Sequence, residues 1–113
     1  MVTDTPAFAQ SQTPGEGSSL AQKNPQELVT AGFAYLAAGN TNLAHMHFVY
    51  ALKRDSQLST AYIGLATIDY RQGDYPSALL KYQKVEELQP GNLEAILGQA
   101  QALRQQGKLS AAN

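Results

Sequence analysis

The chain has 113 residues, enough for one small domain, and its apolar share of 43% supports a core only if the pattern is well organised. Eight Lys and Arg against nine Asp and Glu give a net charge of −1, with no basic concentration to attract nucleic acid or anionic lipid. The absence of cysteine excludes disulfides, thiolate catalysis and cysteine metal sites, and no apolar run approaches the roughly 18 residues that a transmembrane helix needs.

Residues 1–23 are rich in Thr, Ser, Gln, Gly and Pro, lack apolar periodicity, and read as a flexible arm. Within it, Ala7-Phe8-Ala9 has the small-x-small form of a signal-peptidase site, but neither a positive nor an apolar region precedes it. Two readings stay open: a chance match, or the remnant of a trimmed export signal. Localisation is accordingly open between a cytoplasmic and an exported, periplasmic setting. Phe8 is also an apolar group that could fold back onto the rest of the chain.

Asn24-Pro25-Gln26-Glu27 is a strong helix start. Asn24 can accept from an orphan N–H, Pro25 suits the first turn, and Glu27 can reach back to the cap. From there the pattern predicts short helices over 25–38, 42–55, 59–72, 75–88 and 93–106, with a sixth beginning near 108. Gly39-Asn40 and Gly73-Asp74 each offer a left-handed residue followed by an N-cap. Gly107-Lys108 supplies the glycine with a poor cap. Pro90-Gly91-Asn92 breaks the chain and lets Asn92 cap the next helix, while the matching break at Asp55-Ser56 lacks proline.

These glycines keep a period. Gly39, Gly73 and Gly107 lie 34 residues apart, as do Ala44, Ala78 and Ala112. A fixed period of that size marks a helix–turn–helix repeat array. Apolar residues recur at helical spacing within it: Leu28, Ala31, Gly32 and Tyr35, then Tyr62, Leu65 and Ala66, then Ile96, Ala100 and Leu103. Each stripe is expected to bury against the second helix of its own repeat, where Ala44, Phe48 and Ala51, then Ala78, Tyr82 and Val85, face it. Gly32 opposite Ala44, Ala66 opposite Ala78 and Ala100 opposite Ala112 are expected to let helix axes approach to about 8 Å. Tyr35, Phe48 and Tyr82 fill the wedge where the helices diverge, and Gly64 and Gly98, one period apart, suggest tight helix contact.

The residues that recur in phase resemble the tetratricopeptide repeat family. The best copy runs Ala61-Tyr62-Ile63-Gly64-Leu65-Ala66, Tyr70-Arg71-Gln72-Gly73-Asp74-Tyr75, Ser77-Ala78-Leu79, Tyr82-Gln83-Lys84-Val85 and Pro90. The first copy keeps Gly32, Tyr35, Gly39, Ala44, Phe48 and Ala51, with Ser56 where the family favours proline. The third keeps Ala100, Gly107 and Ala112 and stops inside its second helix. The resemblance implies an all-α, right-handed α-solenoid of antiparallel helix pairs, about two and a half repeats: 24–58, 59–92 and an incomplete 93–113. It also implies a concave groove lined by the first helices and a non-catalytic role as a scaffold, adaptor or assembly factor.

The stripe turned away from the packing partner should face that groove. It comprises Val29, Phe33 and Leu36, then Ile63, Thr67, Tyr70 and Arg71, then Leu97, Gln101, Arg104 and Gln105, running from apolar to basic. Such a face suits a peptide or helix with apolar anchors, with an acid near Arg71 or Arg104. Packing between neighbouring first helices is the competing reading for Phe33, and the simpler one for Leu36 and Ile63. The family's clamp for a terminal carboxylate is not built, because Val29, Phe33, Ile63, Gly64 and Thr67 are apolar or small where it needs Lys and Asn.

No phosphate loop, nucleophile–base set or metal cluster appears, so no cofactor and no catalysis are expected. His45 and His47 are two apart on a helix and point away from each other. Asp69 falls on a largely apolar stripe; it could pair near Arg71 or with Arg104, and a rim position is the simpler reading. The partner expected is a protein or peptide. The broken third repeat leaves the stripe Ile96, Ala100 and Leu103 half covered, and two expectations stay open: the natural chain continues, or, as the alternative function, another copy covers the stripe in a homo-oligomer.

Overall fold

A computed structural model of the protein describes residues 23–112, with side-chain surroundings through Lys108. The readings that involve Ala7, Phe8 and Ala9 lie outside those residues. Among the described residues there are five helices and no strand: α1 Pro25–Ala37, α2 Thr41–Arg54, α3 Ser59–Arg71, α4 Tyr75–Leu88 and α5 Leu93–Ala112. Helix α1 packs on α2, α3 on α4, and α4 on α5. Lighter contacts join α2 to α3 and link successive first helices, α1 to α3 and α3 to α5. The architecture is an all-α solenoid of helix pairs. No described helix is long and apolar enough to cross a membrane.

The helix ends follow from a few side chains. Asn24 and Glu27 form a reciprocal capping box, the Glu27 amide donating to Asn24 Oδ1 at 2.9 Å and the Asn24 amide to Glu27 Oε1 at 3.0 Å. Helix α1 stops because Gly39 turns left-handed, φ 86°. That geometry lets the Asn40 and Gly39 amides reach back to the Tyr35 and Leu36 carbonyls at 2.8 and 3.1 Å. Asn40 then caps α2 by accepting from the Leu43 amide. Gly73 and Asp74 repeat the arrangement one period later, with Asp74 accepting from the Ser77 amide.

Gly107 departs from this scheme. The turn expected there, and the sixth helix after it, are replaced by a continuous α5 of 20 residues, so Ala100 and Ala112 share one helix and do not face each other. Gly107 does not take positive φ, unlike Gly39, Gly73 and Gly91. The physical reason lies in its successor. Lys108 has no side-chain acceptor for an orphan amide, whereas Asn40 and Asp74 do, so the turn lacks its cap and helical propagation continues.

Among the described residues the core comprises three clusters. The largest joins Leu28, Val29 and Leu36 of α1, Ala44, Phe48 and Ala51 of α2, and Ala61, Leu65 and Ile68 of α3. Leu65 therefore faces back across the repeat boundary, not toward α4 as its stripe suggested; α3 is covered on two sides and carries two apolar stripes. The second cluster is Ile63, Val85 and Ala95, and the third Ala66, Ala78 and Tyr82. Ala66 meets Ala78 as the small-residue pattern requires. Complete burial of Phe48 contributes about 1.5–3 kcal/mol, making it the heaviest single anchor.

Candidate functional site

Two aromatic rings 34 residues apart form the floor between successive first helices. Phe48 of α2 is fully buried beneath α1 and α3. Neither helix could approach it with a side chain: a Cβ at Gly32 would stand 2.7 Å from the ring, and one at Gly64 closer still. Tyr82 of α4 occupies the same place under α3 and α5. A Cβ at Gly98 would stand 2.5 Å from its ring, so the α5 backbone lies directly against it.

What stands above each ring differs. Phe33 meets Phe48 edge-on, with centroids 4.9 Å apart at 68°. One period later the position of Phe33 is Thr67. That side chain is short, and its hydroxyl donates back to the Ile63 carbonyl at 2.8 Å. A cleft of about 230 Å³ therefore opens between α3 and α5, lined by Ile63, Thr67, Tyr82, Glu94, Leu97, Gly98 and Gln101.

The structure thus brings four sequence-chosen residues into one cleft: Ile63, Thr67, Leu97 and Gln101. Leu97 is 53% exposed and Gln101 is open, whereas Ile63 is buried and shows the cleft only its edge. Val29 and Leu36, chosen for the same face, are buried in the first cluster and act as packing residues. Phe33 is 36% exposed. Tyr70 leans on Tyr75 at 5.2 Å and packs against Ala66, Ala78 and Tyr82, so it is partly buried within its own pair. Arg71 and Arg104 are exposed and carry no ion pair among the described residues. They lie a turn beyond Thr67 and Gln101, toward the helix C-termini, while Glu94 stands at the other end of the cleft. A broader depression of about 470 Å³ lies against the outer side of α1, lined by Lys23, Asn24, Gln26, Glu27, Thr30, Ala31 and Ala34.

Sequence reasoning missed Tyr82 and Glu94 as lining residues. The signal for Tyr82 was present: with Phe33 replaced by Thr67 one period on, the next ring loses its aromatic neighbour on that side while staying largely buried.

The expected self-association stripe is open along α5. Ile96 is 42% exposed, Leu103 is 55% exposed, and Ala100 is exposed as well. The corresponding stripe of α3, including Ala66, is covered by α4.

Asp69 pairs neither near Arg71 nor with Arg104. It accepts from Lys81 Nζ and from Ser77 Oγ, the latter at 2.7 Å, both on α4. The two positions have counterparts one period earlier in the first pair, Tyr35 and His47, whose rings meet at 4.9 Å, tilted by 46°. His47 is buried and its Nδ1 donates to the Leu43 carbonyl at 2.7 Å; His45 is exposed. Among the described residues no group of three or more His, Asp or Glu could hold a metal ion.

The tetratricopeptide repeat sequence model matches residues 29–92 and again residues 63–112. A comparison with curated proteins returns no match. The chain belongs to the tetratricopeptide repeat family. Repeats of this family generally mediate protein–protein interactions and are, in general, non-catalytic modules.

Proposed function

We propose that this tetratricopeptide repeat chain is an adaptor or assembly module that holds a peptide or helical segment against the face formed by α1, α3 and α5. The observation that carries the reading is the cleft between α3 and α5, where Leu97 and Tyr82 offer apolar surface beside the hydrogen-bonding groups of Thr67, Gln101 and Glu94. Exposed Phe33 extends the apolar face toward the first pair. Arg71 and Arg104 set its polarity: the bound segment carries an acidic residue toward the C-terminal ends of α3 and α5. The contact is small, so affinity is expected around micromolar.

The test is selection of short peptides from a random displayed library on the immobilised full chain. Leu97→Asp, on an exposed cleft wall, is expected to abolish binding of the selected peptides with helicity unchanged. Leu80→Asp, on exposed α4 surface, is expected to leave it intact. The reverse pattern refutes the reading.

A second reading draws on a different observation, the uncovered stripe of Ile96, Ala100 and Leu103. A second copy docking there would bury it. Sedimentation across a concentration series is expected to show a mass increase that Leu103→Asp removes; a constant monomer mass rules it out.

A further inference from the structure

The first pair displays, within the same molecule, a filled version of the cleft that the second pair leaves open. Phe48 carries an aromatic ring on its upper side, and that ring belongs to Phe33, edge-on at 4.9 Å. Tyr82 sits one period later and, although only 8% exposed, has no counterpart of Phe33, because Thr67 stands at that position. The close backbone approach recurs: Gly98 lies against the Tyr82 ring as Gly64 lies against Phe48.

We propose that the cleft over Tyr82 is a subsite for one aromatic side chain of the bound partner, which takes the place that Phe33 takes over Phe48. This rests on the reading of the face as a peptide groove and names the anchor that it selects.

Size supports a single side chain. The cleft is about 230 Å³, below the roughly 300–1,000 Å³ of whole small-molecule sites. Chemistry supports an aromatic one. The floor is a ring, and ring pairs favour the edge-on arrangement that Phe33 already adopts. Leu97, with the edge of buried Ile63, supplies an apolar wall for the ring. Gln101 and Glu94 at the margin can accept from a phenol, so tyrosine as well as phenylalanine is admitted. A short aliphatic chain would reach the walls and forgo the ring contact.

The probe is N-acetyl-phenylalaninamide, titrated into the isotope-labelled full chain, with N-acetyl-alaninamide as control. Binding of one ring is expected to be roughly millimolar. The phenylalanine probe should give saturable amide shifts at Thr67, Leu97, Gly98 and Gln101, and the alanine control none. Thr67→Phe, which installs the repeat-one residue, should abolish those shifts while its circular dichroism matches the wild type. Leu97→Ala, on an exposed wall, should weaken them several-fold and keeps the test valid if Thr67→Phe misfolds. Absent shifts, equal shifts from the control, or shifts that survive Thr67→Phe overturn the proposal.

The peptide selection separates this from the broader reading. Selected peptides that map to the same face, lack an aromatic residue and bind Thr67→Phe unchanged would overturn the aromatic subsite alone. Peptides that map nowhere on that face would overturn both.

Discussion

The two repeat junctions share a backbone and differ in chemistry. At the first, between α1–α2 and α3, Phe33 covers Phe48, and Leu52 and Leu65 belong to one apolar cluster. At the second, between α3–α4 and α5, the corresponding residues are Thr67 over Tyr82, and Glu86 beside Gln99, joined by a hydrogen bond of 2.7 Å. Ile68, buried at the first junction, has Ala102 as its counterpart at the second. One junction is closed by apolar packing up to its face; the other, built on Ile63, Val85 and Ala95, carries a polar pair at its edge and is open at its face. The period keeps the helices in place, and the substitutions within it decide where the molecule holds itself together and where it can hold something else.

The largest test of that contrast is truncation of the two rings. Phe48→Ala empties a fully buried site and is expected to cost about 3–5 kcal/mol, enough to unfold much of the population at 37 °C. Tyr82→Ala, beside an open cleft, should cost distinctly less. Chemical denaturation that ranks the two the other way would break the comparison.

The facing glycines sharpen it. Gly64→Ala drives a methyl into a ring that has no room to yield, so overpacking of about 1–3 kcal/mol should outweigh the gain in helix propensity of about 1 kcal/mol. Gly98→Ala meets a ring that can tilt toward the cleft, and the two effects should nearly cancel. Thermal midpoints of the pair give the answer.

Thr67→Phe should work in the opposite sense. Rebuilding the Phe33–Phe48 arrangement over Tyr82 adds about 0.5–1.5 kcal/mol of stability, read as a higher melting temperature. The smallest effect concerns the paired positions inside each repeat. Lys81→Met removes the partner of Asp69, whose side chain is 18% exposed against 29% for Lys81. The loss should be at most about 1 kcal/mol and should shrink as salt rises. Stability of a Tyr35→Phe variant at the equivalent ring pair should show no such salt dependence.

Much of this architecture is legible in the sequence because it is written locally. A glycine followed by an Asx residue specifies a left-handed stop and a new cap without reference to the rest of the fold, which is why the ends at Gly39 and Gly73 could be placed. The same logic explains the failure at Gly107. Periodicity marked the glycine, but Lys108 cannot cap, and period alone does not end a helix. Residues that depend on which neighbour a stripe meets were harder. Leu65 and Ala66 are adjacent in sequence yet serve α2 and α4 respectively, and only the three-dimensional register assigns them. Val29 and Leu36 looked like groove residues because helical spacing gives direction without depth. The Asp69–Lys81 pair was hidden because its members lie on different helices and mimic Tyr35–His47 in position without sharing its chemistry. The cleft over Tyr82 was half visible, as the difference between Phe33 and Thr67 at equivalent positions.

The claim that the closed junction stabilises while the open junction binds is tested most directly by mapping backbone amide shifts of the full chain on addition of a selected peptide. Perturbations are expected to centre on Thr67, Leu97, Gly98 and Gln101, with α2 silent. Perturbations centred on α1 and α2, with those four residues unmoved, would contradict it.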